Sequence, residues 1–233
     1  MADYRSEKTK KLALAAVFAA LAFLVALIPA PKVQFLSFDI KDTVIATASL
    51  ILGPSVALSL SVVVPFLEAV ANGFNLFPWG LLMDIISTLS FSLTASLIYK
   101  FRRTLGGAVL SLISAAGTQV AMMMVANILI TPLYMGSREV VVQLLLPLLL
   151  PFNTVKSIFN AALVMLLYKP TTEALRRARI LSGKRYAHGV MIEAGRYYLG
   201  GRTVIVALLS FLVLVGAALV LFLTLGAAWG GAS

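Results

Sequence analysis

Apolar runs close to 20 residues long recur along this chain, separated by short breaks that carry charge, glycine or proline. A helix rises about 1.5 Å per residue, so a run of that length crosses the roughly 30 Å hydrocarbon layer of a bilayer. A soluble core has no use for so many. Lipid offers backbone groups no hydrogen-bond partner, and a helix satisfies them within one segment. The composition agrees: 61% of residues are hydrophobic and 12% are charged, about half the charged share of a soluble domain. The expected fold class is all-α, a polytopic transmembrane helix bundle.

Breaks in the pattern divide the chain. A first helix is expected over residues 11–28, followed by a loop with Pro31, Lys32 and the run Phe38-Asp39-Ile40-Lys41-Asp42. A short second helix covers 43–52. Gly53-Pro54 turns the chain, since proline suits the first position of a helix, and a third helix runs to Ala71. Asn72-Gly73 and Pro78 mark the next loop. The fourth helix covers Trp79 to Tyr99, and Gly106-Gly107 opens a fifth that reaches Thr131. The stretch from Gly136 to Tyr168 is too long for one straight span. Pro147 and Pro151 are expected to break it into an interfacial piece and a sixth helix over Pro151 to Tyr168. The organisation expected is a six-helix core over 1–169, a basic linker over 170–203, and an additional transmembrane helix within 204–233. Pro29, Ala30 and Pro31 follow the first apolar stretch without an A-x-A site, so that stretch is expected to be retained.

The net charge of +10 invites a nucleic-acid partner. Its distribution argues against one, because Lys and Arg flank the apolar runs. Cytoplasmic loops are enriched in these residues. With the N-terminus inside, Arg5, Lys8, Lys10, Lys11, Lys100, Arg102, Arg103 and the basic residues from Lys169 to Arg202 all fall inside. That is fifteen of the 19 Lys and Arg.

Under this orientation the polar residues of the apolar segments sort to one side. Asp39, Lys41, Asp42 and Thr43 lie at the outer mouth of the second helix, Glu68 and Asn72 at the outer end of the third, and Asp84 near the outer start of the fourth. Asn127, Thr131 and Tyr134 close the fifth. Asn153, Lys156 and Asn160 share one face of the sixth, spaced i, i+3 and i+7. A charge this deep costs about 2.5–3.5 kcal/mol on insertion scales, so it marks a candidate functional site. Lys offers three donors and Asn both donor and acceptor, which suits a ligand with several carbonyls and ring nitrogens. Plainer roles compete for the same residues. Lys156 snorkels to the interface; Asp39 or Asp42 caps the second helix or sits in a solvated loop; Glu68 and Asp84 are ion-pair partners of Lys156. Trp79 and Tyr134 suit interfacial anchoring.

The opposite halves of the helices are apolar and rich in small residues. Ala15/Ala19 and Ala16/Ala20 are small-xxx-small pairs, which let another helix approach closely, either a partner's or one of the bundle's own. Some chemistry is excluded. Cysteine is absent and the one histidine, His188, lies in the basic linker. Nucleophile–histidine catalysis therefore lacks its base within the membrane, and no cluster has metal-ligand spacing. There is no catalytic set, no metal set and no P-loop for ATP. The chain reads as a non-enzyme.

The motifs resemble a known family. The alanine-rich first helix, Phe38-Asp39-Ile40-Lys41-Asp42, Gly53-Pro54, Asn127 with Pro132-Leu133-Tyr134, and above all Pro151-Phe152-Asn153-Thr154-Val155-Lys156 look like a substrate-binding S component of the energy-coupling factor (ECF) importers, most like the riboflavin-specific kind. The resemblance covers about Lys10 to Lys169. It implies hydrogen bonds to flavin from Asn127, Asn153 and Lys156. Outer position adds Asp39, Thr43, Asp84, Tyr134 and Asn160 to the expected pocket, and the small-residue face of the first helix, Ala15/Ala19 or Ala16/Ala20, is the expected docking surface. Riboflavin would be a transported ligand, not a cofactor. The partners implied are a transmembrane coupling subunit and two ATPase subunits, in a bacterial cytoplasmic membrane. Asp84 departs from the neutral Asn that the family often shows there, and the segment Lys169 to Ser233 lies outside the resemblance. An alternative from another class is a stand-alone proton-coupled secondary transporter with Glu68, Asp84 and Lys156 as its relay.

Overall fold

The structure is a computed structural model that describes residues 2–28, 32–33, 36–37, 39–74, 77–101, 104–136 and 138–178. The expected 204–233 helix and most of the 170–203 linker lie outside these residues. The elements are α1 (Ala2–Ala26), β1 (Lys32–Val33), β2 (Leu36–Ser37), α2 (Lys41–Leu52), α3 (Pro54–Ala71), α4 (Trp79–Phe101), α5 (Leu105–Met135), α6 (Arg138–Leu144), a π-helical turn (Leu145–Leu149) and α7 (Leu150–Arg177). The two short strands pair antiparallel, Lys32 with Ser37 and Val33 with Leu36. Five helices are long and apolar enough to cross a membrane: Thr9–Ala26, Pro54–Ala71, Trp79–Phe101, Gly106–Tyr134 and Pro147–Leu175. The chain is an all-α polytopic membrane bundle.

Local chemistry explains the boundaries. Gly53 adopts φ 99°, a backbone that side-chain-bearing residues rarely take, and Pro54 then opens α3. This lets two helices meet end to end with no loop between them. Thr104 caps α5 by accepting from the Gly107 amide at 3.0 Å, and Gly136 closes it in the left-handed conformation. The stretch from Arg138 onward bends through a π-helical turn that contains Pro147. The expected break there is a change of helix type, with no loop. α7 then continues past the expected end at Tyr168, through Pro170, to Arg177. α5 likewise runs through Pro132 to Met135. Membrane helices tolerate internal proline when neighbours satisfy the freed carbonyls.

α2 is the centre. Its 12 residues rise about 18 Å, too short to cross a bilayer, and it packs against α1, α3, α4 and α7. One face joins Ile45 and Ala48 to Leu14, Ala15, Phe18, Ala22, Val56, Leu60 and Val64 of α1 and α3. The other joins Ala46 and Leu50 to Phe91, Ala95, Leu112, Ala115 and Val164 of α4, α5 and α7. Small residues keep these axes close. Buried hydroxyls bond back to their own helices, as Ser111 does to the Ala108 carbonyl and Ser96 to that of Leu93. The outward faces are greasy: Val62, Val63, Phe66, Leu110, Ile113, Leu129 and Leu133 are exposed. In water such patches mark interaction sites; around a membrane bundle they face lipid.

Side-chain bonds show which helix ends meet. Lys11 Nζ donates to Ser55 Oγ at 3.3 Å, so α1 and α3 start at the same end. Tyr99 and Tyr168 join α4 to α7 there, with hydroxyls 2.8 Å apart and rings in edge-to-face contact. The Asp39 loop, the start of α2, the end of α3 and the start of α4 gather at the other end, termed the loop end below.

Candidate functional site

The loop end contains buried charge. Lys41, in the first turn of α2, is 1% exposed. Its ammonium donates to Glu68 from α3 and to Asp84 Oδ2 from α4, the latter at 2.6 Å. The next residue, Asp42, is fully buried. Its Oδ1 accepts from Thr88 Oγ1 at 2.6 Å, and its Oδ2 from Gln119 Nε2 at 3.2 Å. Lys156 of α7 donates to Asp39 Oδ2 at 2.8 Å and lies 3.9 Å from Asp42 Oδ2. One network thus ties the loop, α2, α3, α4, α5 and α7 together.

This geometry decides among the competing sequence expectations. Asp39 and Asp42 do not cap α2: the cap residue is Ile40 and no side chain bonds there. Nor is 39–42 a solvated loop, because Lys41 and Asp42 are buried. Lys156 does not snorkel; its ammonium ends on Asp39. Glu68 and Asp84 pair with Lys41, and no ion pair among the described residues joins either one to Lys156. The residues expected as a relay, Glu68, Asp84 and Lys156, therefore do not pair with one another directly. The physical reason is reach: α2 places Lys41 against carboxylates of α3 and α4, while Lys156 of α7 ends on Asp39 and near Asp42.

Asp39 precedes α2 and lies outside the membrane-spanning helices. Burial pushes its carboxyl up. The ammonium groups of Lys156 and Lys41, with the hydrogen bond from Lys156, outweigh that and hold it below its usual range.

The amides occupy neighbouring positions. Asn160 Oδ1 accepts from Thr43 Oγ1 at 2.9 Å, which joins α7 to the residue after Asp42. Asn153 is buried and donates to the Leu149 carbonyl at 2.8 Å. Asn127 donates to the Met123 carbonyl at 2.7 Å and accepts from Thr131 Oγ1 at 3.0 Å. Tyr134, half-buried, donates to Thr131 Oγ1 at 3.4 Å. The structure thus joins Asp39 to Lys156, Thr43 to Asn160, and Asn127 to Thr131 and Tyr134. Among the described residues, no hydrogen bond links Asn127 directly to Asn153 or Lys156. The Nδ2 groups of Asn127 and Asn153 each have two hydrogens and spend one on their own helix, so donor capacity remains.

Several members escaped the sequence analysis. Gln119 donates to Asp42 and to Ser87 Oγ, the latter at 3.0 Å. Its Oε1 accepts from Ser157 Oγ at 2.8 Å, a hydroxyl that also lies 2.7 Å from the Asn153 carbonyl. Polar contacts therefore continue deeper than the charges do. The available signal was a second amide inside the long apolar run of α5, about two turns before Asn127; Ser87, Thr88 and Ser157 are too common in membrane helices to stand out.

The small-residue pairs also separate. Ala15 is buried in the bundle, and Ala19 packs against the same cluster. Ala16 and Ala20 are exposed on the opposite side of α1. Of the two pairs, only Ala16 and Ala20 leave small residues on the outside of the bundle, because a helix presents i and i+1 to different neighbours.

A greasy exterior around a charged, hydrogen-bonded interior defines a membrane helix bundle with a polar cluster at its loop end. The chain matches, over residues 10–168, the family described as ECF transporter, substrate-specific component, and it belongs to that family. Its fold is similar to that of a solved S component of a bacterial ECF transporter, with a TM-score of 0.61 and 25% identity over 73% of this chain and 99% of that one. Among curated proteins there is no significant match.

Proposed function

We propose that this protein captures riboflavin, or a closely related flavin, on the outer side of a bacterial cytoplasmic membrane and delivers it to an ATP-driven importer. The observation that carries this reading is the Lys156–Asp39 pair, 2.8 Å long, between a buried lysine and a half-buried aspartate. It latches the loop before α2 onto the α7 face that bears Asn153, Lys156 and Asn160. A latch made of charge is exchangeable. Ligand carbonyls can take over the Lys156 protons, and the loop then closes over the ligand and excludes water. An uncharged ring system with several carbonyls and ring nitrogens matches the donors of Asn127, Asn153 and Lys156. The Pro151–Lys156 motif supports a flavin over other vitamins.

The lysine and arginine distribution supports a cytoplasmic N-terminus and hence an outward-facing loop end. Energy would come from partners: a transmembrane coupling subunit and two ATPases. The exposed Ala16/Ala20 face of α1 is suited to receive a coupling helix. The test is direct. Protein purified from flavin-replete cells should be yellow with a flavin absorption spectrum, and ligand-stripped protein should quench riboflavin fluorescence on titration. Colourless protein that leaves riboflavin fluorescence unchanged overturns the reading.

A further inference from the structure

The buried network is unbalanced. Four carboxylates, Asp39, Asp42, Glu68 and Asp84, face two ammonium groups, Lys41 and Lys156. These two are the only buried lysines among the described residues. Each already has two carboxylates within 4 Å, at most 3.9 Å away. Among the described side chains, a ligand anion brought here meets no uncommitted buried ammonium. It would add a further negative charge beside carboxylates that already outnumber the ammonium groups, which a neutral carbonyl does not. A second, independent feature points to the ligand atom that does fit. Asn160 is fully buried, and its Nδ2 has no hydrogen-bond partner among the described residues, although its Oδ1 accepts from Thr43. It lies one turn along α7 from Lys156. A neutral donor without an acceptor suits a carbonyl or ring nitrogen that arrives without charge.

We infer that this site admits uncharged or cationic ligands and rejects phosphorylated and other anionic ones, with Glu68 and Asp84 as the specificity-determining residues. This rests on the reading of the loop end as the capture site. The two carboxylates hold Lys41 between them and so withhold it from the ligand, while contributing the surplus negative charge. Either one alone would leave Lys41 neutralised. Together they make the neighbourhood repel a phosphate.

The experiment measures binding of matched pairs, riboflavin with its 5′-phosphate and thiamine with its monophosphate, to purified protein at neutral pH. The unphosphorylated member should bind at least about a hundredfold tighter, the scale on which like charges disfavour a wrong partner. In Glu68→Gln, Asp84→Asn and the double variant, the gap should narrow progressively, mostly through tighter binding of the phosphate ester. The wild-type ratio alone tests the inference should the variants fold poorly. Equal or tighter binding of a phosphate ester to wild type overturns it, as does an unchanged gap in folded variants. Discrimination within the thiamine pair without any riboflavin binding would sink the flavin reading and uphold the charge filter. Failure of both pairs to bind counts against both.

Discussion

The first turn of α2 is held by ion pairs, and the rest of the helix mainly by methyl groups, with one hydrogen bond from Ser49 to the Ser92 carbonyl. Lys41 and Asp42 reach carboxylates, hydroxyls and amides on three other helices. A few residues later, Ile45, Ala46 and Ala48 are just as buried, and their side chains pack in apolar clusters. Both ends are fully packed, yet they differ in what can be exchanged. Methyl contacts have no alternative partner of higher affinity, so that half is a fixed frame. Charged groups can trade one partner for another at modest net cost if the new one arrives with equivalent hydrogen bonds. A membrane protein that must open and close needs both: a frame that stays and a latch that swaps.

The contrast can be broken most sharply at Lys41. Lys41→Met leaves Glu68 and Asp84 facing each other without their cation, and thermal unfolding in detergent should show a loss of about 3–5 kcal/mol. Little change would mean that the ion pairs do not hold this end. Next come adjacent residues of α1. Ala15→Trp overpacks the methyl-lined frame and should cost about 1–3 kcal/mol. Ala16→Trp, on the exposed face, should unfold within about 0.5 kcal/mol of wild type and bind ligand normally, yet abolish uptake in cells. Uptake that survives Ala16→Trp removes that face from the docking surface. Lys156→Ala and Asn153→Ala should each weaken flavin binding more than tenfold, about 1.4 kcal/mol or more, by fluorescence titration. Unchanged affinity in both would take them out of the site.

The smallest effect concerns pH. The Asp39 carboxyl is held below its ordinary range by Lys156 and Lys41. A depressed folded value means that its stabilisation is complete above the unfolded value, about 4, and is lost only as pH falls through the folded one. The stability gap between wild type and Asp39→Asn should therefore stay constant from pH 8 to about pH 4 and shrink below it. A gap that closes near neutrality would show that another titrating group governs the latch.

Much of the frame was legible in the residues. Long apolar runs, Gly53-Pro54, Asn72-Gly73 and Gly106-Gly107 placed the starts of α3, α4 and α5 correctly because turn chemistry is local. Helix ends were less legible at Thr131 and Tyr168, since Pro132 and Pro170 are breakers in water and tolerated in a bundle. The site was half legible. Buried charge announced Lys156, Asp39 and Asp84, but partnership did not. Lys41 was visible as a loop residue, and only the fold showed it to be a buried hub. Gln119 and Ser157 carried too weak a signal to single out.

Hydrophobic period and turn residues act over a few positions, so the order of helices, their number in the core and the side on which polar groups collect follow from the chain alone. Which lysine meets which carboxylate depends on how α2 is threaded among α1, α3, α4 and α7, a relation between residues up to 117 positions apart. The same holds for Ala15 and Ala16, identical in type and adjacent, where only packing settles which faces inward. Charge pairing and facing are properties of distance in space, and distance in space is what folding adds.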